Sequence, residues 1–149
     1  MSICDTFPKG DAGNSVVSVM LRSVSVWSLI IAAETVNGTL RGLLLVPSFG
    51  EMRARQISFG IALVLILSIA ILLIRWIEAA GNYQLMLVGA IWAAMTFCFE
   101  VMLGTFVLGL PWEAILADYD PTRGGLMSAG LVFMLFAPLL ASKLREGSA

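Results

Sequence analysis

Four runs of this chain are each long and apolar enough to cross a lipid bilayer, which leaves little choice of fold. A span needs about 20 mostly apolar residues. The first run covers Val24–Val46 and stops at Pro47, and the second covers Ile57–Ile77. The third covers Gln84–Leu110, closed by Pro111, and the fourth covers Pro121–Ala141. In hydrocarbon each segment must satisfy its own backbone N–H and C=O groups, so the runs read as helices. Only 13% of the residues are charged, against about 25% in an ordinary soluble domain. The expected fold is therefore all-α: a polytopic membrane protein built as a compact antiparallel bundle of four transmembrane helices. A short interfacial helix is expected in PWEAILADYDPTRGG, between the third and fourth spans.

Residues 1–23 read as a polar N-terminal lead and an amphipathic segment, 24–141 as a single four-helix transmembrane domain, and 142–149 as a short polar tail. The stretch SVVSVMLRSV either lengthens the first helix or lies along the interface. MSICDTFPKGDAGNS places Pro, Gly and Asp where a signal peptide needs its hydrophobic core, so a retained lead is expected. Cys4 and Cys98 are too few for a disulfide framework, and Cys98 reads as a small hydrophobe inside a helix. Asp120 before Pro121 reads as the N-cap of the fourth helix.

Aromatic residues at helix ends support the spans. Trp27, Trp76 and Tyr83 belong to the side of the termini, Trp112 and Tyr119 to the opposite side, and Trp92 reads as a packing residue. Basic residues divide almost evenly. Lys9, Arg22, Arg75, Lys143 and Arg145 lie on the side of the termini, and Arg41, Arg53, Arg55 and Arg123 on the other. The positive-inside rule then favours cytoplasmic termini, five against four.

Two acids interrupt the spans. Glu34 lies within WSLIIAAETVNGTLRGLLLV and Glu100 within IWAAMTFCFEVMLGTFVLGL. A carboxylate at the bilayer centre costs about 2.5–3.5 kcal/mol on insertion scales unless it faces protein or water. Glu34, Asn37, Gly38 and Arg41 follow one another at i, i+3, i+4 and i+7, on one helix face. Glu34 precedes the end of its span by about 18 Å and Glu100 by about 15 Å, at 1.5 Å per residue. Because the first and third spans run parallel, the two acids should sit at similar depth. Glu34, Asn37, Arg41 and Glu100 together make a candidate intramembrane polar site. The plain alternative is a face that packs inward and satisfies itself. Gly38 and Gly42 also form a small-xxx-small spacing, which suits close helix approach.

Arg41, Arg53, Arg55 and Arg123 form a candidate anion or headgroup site at the surface away from the termini. Because acids lie among them, a salt-bridge network that staples the loops is the simpler reading. DYDPTRGG begins like a calcium loop, but Thr122, Arg123 and Ala129 stand where further ligands and the turn glycine belong. There is no histidine, no paired-cysteine zinc motif and no P-loop. No catalytic residue, metal or cofactor is therefore expected. Near-zero net charge without a basic tract argues against nucleic acid as a partner.

The run AETVNGTLRGLLLVPSFGEMRARQ, with FEVMLG and LPWEAILADYDPTRGG after it, resembles a group of small four-helix bacterial inner-membrane proteins of unknown function. The likeness covers most of the chain from the first helix onward. It implies a multi-pass protein of the bacterial inner (cytoplasmic) membrane and no particular activity. Size, four helices and a Glu in the first helix are superficially similar to small multidrug resistance transporters. This chain is longer, carries Arg41 in that helix and has a second Glu in the third. Four-helix fluoride channels are a more distant comparison.

Three functions compete. The one favoured by the sequence is a non-enzymatic accessory or scaffold subunit, packed in the bilayer against other membrane protein subunits or against itself. The second is a small proton-coupled transporter or ion pathway using Glu34 and Glu100. The third is a lipid headgroup-binding protein that uses the arginines.

Overall fold

The computed structural model describes residues 11–147, with side chains from residue 16 on. The lead up to residue 10, with Cys4 and Lys9, lies outside the described residues. The helices are α1 (Asp11–Leu40), α2 (Val46–Phe49), α3 (Glu51–Ile77), α4 (Gly81–Met102), α5 (Trp112–Tyr119) and α6 (Met127–Glu146). Wider π-helical turns at Arg41–Leu45 and Leu103–Val107 extend α1 and α4, and a 3₁₀ turn at Pro121–Arg123 precedes α6. There is no strand among the described residues. Four continuous helical stretches, Val16–Phe49, Glu51–Ile77, Gly81–Val107 and Met127–Glu146, are long and apolar enough to span. The chain is a multi-pass, all-α membrane protein.

Several helix ends differ from the sequence expectation, each for a local reason. The SVVSVMLRSV stretch is the first part of α1 and lengthens it. Pro47 does not stop that helix. The ring has no N–H and would press on the carbonyl four residues earlier, and the π turn just before it widens the backbone to admit it. The break comes at Gly50, whose φ of 80° is open to glycine at no steric cost, and α3 starts at once with Glu51 rather than at Ile57. Asp120 caps the 3₁₀ turn, not the last span: its Oδ1 accepts from the Thr122 backbone N–H at 2.9 Å and from the Thr122 hydroxyl at 2.6 Å. The last span begins at Met127 and runs through Glu146, so most of the expected tail is helix.

Consecutive spans alternate in direction, as short connections require. Their lateral order is less obvious. α1 packs on α3, α3 on α6, α6 on α4, and α4 on α1, which puts the consecutive helices α3 and α4 across the diagonal. Two neighbouring pairs are consequently parallel. In the α1–α4 pair the Trp92 indole donates to the Ser23 carbonyl at 2.9 Å and the Trp27 indole donates to Thr96 Oγ1 at 3.0 Å, both across 69 residues of sequence. A constant offset of this kind is the signature of two helices running the same way.

The packed core occupies the half of the bundle nearest the termini. Val26, Ile30, Ala70, Ile77, Trp92, Ala137 and Ala141 are fully buried there, with Val88 almost so. Gly89 lets α4 meet α6 backbone to backbone: a Cβ at this position would overlap the Leu135 carbonyl. Gly38 and Gly42, by contrast, have nothing within 4 Å of where a Cβ would stand. Among the described residues no helix packs against the small-xxx-small spacing of α1. Trp76, Tyr83 and Trp112 are exposed at helix ends, as membrane anchors should be. Trp27 and Tyr119 instead point into the bundle.

Gly89→Ala should therefore destabilise the protein by about 1–3 kcal/mol through overpacking. Gly60→Ala, which meets open space, should be neutral or stabilising by up to about 1 kcal/mol. Thermal unfolding of both variants in detergent micelles checks the pair.

Candidate functional site

The far half of the bundle, away from the termini, is held open around a cavity of about 550 Å³. α1 and α4 touch near Ser23, Trp27 and Thr96, and no hydrogen bond joins them further along among the described residues. Past that level the cavity is lined by α1, α3, α4, α5 and α6, with mainly apolar walls such as Phe59, Leu63, Leu103 and Leu131. Its floor is a polar relay: Trp27 donates to Thr96, and the Thr96 hydroxyl donates to Met134 Sδ at 3.0 Å. Below the floor lies the packed core.

Glu34, Asn37, Arg41 and Glu100, the four residues of the sequence-derived polar site, all line this one cavity. The 69-residue offset between α1 and α4 sets Glu100 level with Ile31, about 4.5 Å nearer the floor than Glu34. The acids are thus close in depth, at the level where packed core gives way to cavity.

Asn37 is buried and clamps α1 to α3. Its amide donates to the Ser58 carbonyl at 3.0 Å, and the Ser58 hydroxyl donates back to Asn37 Oδ1 at 3.2 Å. The same amide nitrogen reaches Glu34 Oε2 at 3.3 Å, which fixes one carboxylate oxygen. The other, Oε1, is buried with no hydrogen-bond partner. The Glu100 carboxylate forms no ion pair and no hydrogen bond among the described residues, although Glu34, Asp118 and Arg41 are within electrostatic reach of it. The two acids therefore face a common space without a cation bonded to either.

The arginines part company. Arg41 and Arg55 line the cavity, whereas Arg53 and Arg123 are exposed and outside it. Arg55 is already engaged, donating to Asp118 Oδ1 at 3.0 Å and so tying α3 to α5. Arg123 lies 3.5 Å from Asp120 within its own turn. Hydrogen bonds from Thr122 and the neighbouring Arg123 hold the Asp120 carboxyl below the ordinary aspartate range. Arg41 has no ion pair among the described residues.

α5 covers the water-facing end of the cavity. Ile115 is buried against Gly104, where an added Cβ would come within 3.2 Å of its Cδ1. Gly125 tucks under the carbonyls of Ala117 and Asp118, and the Ser128 hydroxyl donates to the Tyr119 carbonyl. Tyr119 stacks edge-on against Phe97 at 5.5 Å, and its phenolic oxygen is buried without a partner. Burial, then the charges of Glu100 and Asp118, pushes the Tyr119 phenol up to about 12. From sequence, Tyr119 belongs to an interfacial belt, and Asp118 is one of the acids lying among the arginines. The signal that both turn inward lies in the α5 periodicity, because Ile115, Asp118 and Tyr119 follow one another at i, i+3 and i+4. Ser58, a polar residue near the start of the apolar span Ile57–Ile77, is the corresponding signal on α3. Among the described residues no group of three or more Cys, Asp or Glu side chains is placed to hold a metal ion.

No protein family, curated protein or solved structure matches the chain.

Asn37→Ala removes the α1–α3 clamp, and unfolding in detergent should show a loss of about 0.6–2 kcal/mol, the range for interhelical polar contacts in bilayers. Tyr119 gives a pH dependence. The folded state keeps the phenolic proton up to about 12, whereas an unfolded tyrosine loses it near 10. Its contribution to stability is thus complete below about 10 and disappears as pH rises through that interval. Phenolate absorbance should show one late-ionising tyrosine, absent in Tyr119→Phe, and that variant should lose stability less steeply in alkali.

Proposed function

We propose that the chain is a small membrane transporter in which Glu34 and Glu100 bind and release protons or cations. The observation that carries this reading is the cavity of about 550 Å³ into which both carboxylates face, Glu34 Oε1 being buried without a partner. A bundle that needed these acids only for architecture would pair them. Here Asn37 holds one oxygen of Glu34, and among the described residues the Glu100 carboxylate has neither an ion pair nor a hydrogen bond. Intramembrane acids on a water- or ligand-accessible cavity are the usual sites of ion and proton movement through helical proteins.

A transporter is supported over an open pore by the asymmetry of the bundle. The cavity reaches the acids from one half only, and the Trp27–Thr96–Met134 layer and the core beneath it seal the other. Passage then requires the α1–α4 contact to rearrange, which is the condition for alternating access.

The accessory or scaffold role favoured by the sequence drew on small-residue faces, a charged surface and the absence of any catalytic constellation. Scaffolding gives no reason to keep a cavity of this size unfilled or to leave Glu34 and Glu100 facing it without an ion pair. The headgroup reading has less behind it as well, since Arg55 and Arg123 are committed to Asp118 and Asp120. The bacterial inner membrane as location, with cytoplasmic termini, stays part of this proposal.

Reconstituted in proteoliposomes, the wild-type chain should couple the movement of a cation to a proton gradient. Glu34→Gln should abolish that flux while eluting as a folded protein. Unchanged flux in the variant, or wild-type vesicles no leakier than empty ones across a panel of cations, would overturn the assignment.

A further inference from the structure

The chamber has an opening that its water-facing end does not explain. Thr35 and Thr39 on α1 line the cavity and are nevertheless exposed, and so are Leu108 and Leu110 just beyond α4. A residue that both lines a cavity and faces outward belongs to its rim. These four flank the gap between the far half of α1 and the segment after Glu100, where α1 and α4 have parted.

The rim faces hydrocarbon. Its outward neighbours on α1 are Val36, Leu40 and Leu43, and on the other side Phe106 and Val107, all strongly exposed. The threonines present no free hydroxyl donors to the gap, because Thr35 donates to the Ile31 carbonyl and Thr39 to the Thr35 carbonyl, each at 2.8 Å. At the water-facing end α5 is pinned by Ile115 on Gly104 and by the Arg55–Asp118 pair. The open side of the chamber is thus the lipid side.

Two chemistries meet inside. The walls accept a hydrocarbon chain, and the groups left without an ion pair are Glu34 and Glu100 against the single guanidinium of Arg41. Two acids facing one base favour a positively charged head. The volume lies within the range that holds one drug-sized molecule.

We infer that the site takes an amphiphilic monocation, an ammonium head carrying a hydrocarbon tail, which enters sideways from the bilayer between α1 and the Leu103–Leu110 segment. The head sits between Glu34 and Glu100, and the tail lies along Phe59, Leu63 and Leu103 towards the rim. This rests on the transport reading for its purpose but not for its evidence, since binding is measured without a gradient.

The test uses the full chain in phosphatidylcholine nanodiscs with radiolabelled dodecyltrimethylammonium in a scintillation-proximity assay. Saturable binding is expected on the wild type, displaced neither by tetramethylammonium, which has the head without the tail, nor by dodecyl sulfate, which has the tail with the opposite charge. Glu34→Gln and Glu100→Gln should each weaken binding about tenfold or more, the scale of a lost charge-assisted contact. Thr35→Trp with Thr39→Trp should block entry, while Thr35→Val with Thr39→Val should bind as the wild type does. Equal competition by tetramethylammonium would sink lateral entry and leave the transport reading standing. Competition by dodecyl sulfate, or no saturable binding on the wild type, would overturn the ligand class, and these arms hold whether or not any variant folds.

Discussion

Everything in this bundle depends on how far along their length α1 and α4 stay in contact. In hydrocarbon there is no hydrophobic drive between helices, so they associate through close packing and a few polar bonds. For this pair the bonds are the Trp92 indole on the Ser23 carbonyl and the Trp27 indole on Thr96, both in the half nearest the termini. Gly89 adds the backbone contact of α4 with α6 in that same half. Trp27 also meets Phe99 edge-on, and beyond that level no hydrogen bond joins the two helices among the described residues and the cavity opens between them. One half becomes a packed core and the other a chamber, with Glu34 and Glu100 at the boundary.

That boundary explains how two acids are tolerated. A carboxylate placed among Ile30, Trp92 and Ala137 would be sealed in apolar packing, whereas a few residues further on it faces open volume. Asn37 does double duty there, closing the α1–α3 interface through Ser58 and steadying one oxygen of Glu34. The opposite charges that would neutralise a purely structural site are spent elsewhere. Arg55 holds α5 down through Asp118, and Arg123 serves its own turn. A small bundle has thus kept its acids unpaired while satisfying most of the polar groups around them.

The π turns belong to the same arrangement. They fall on the two acid-bearing helices, seven residues beyond Glu34 and three beyond Glu100. An i→i+5 turn shifts the phase of a helix and frees backbone that a regular helix would engage. On α1 it admits Pro47 without a break, and on α4 it leads the chain out towards Leu108 and Leu110 at the rim. The widened backbone thus lies along the opening of the chamber.

What the residues determined alone were the properties that come from local composition and period. The four spans follow from the length of apolar runs, the shared face of Glu34, Asn37 and Arg41 from the 3.6-residue turn, and the matched depth of Glu100 from parallel direction and rise per residue. Tertiary structure decided which neighbours each face meets. It set α3 and α4 on the diagonal, turned Tyr119 inward from an expected belt, left Gly38 and Gly42 uncovered, and drew Arg55 to Asp118. Helix pairing in lipid turns on shape complementarity between distant segments, and no local pattern encodes that. The same physics separates the two answers about the acids: an apolar run shows that Glu34 is in the membrane, and only the parting of α1 from α4 leaves it facing a cavity.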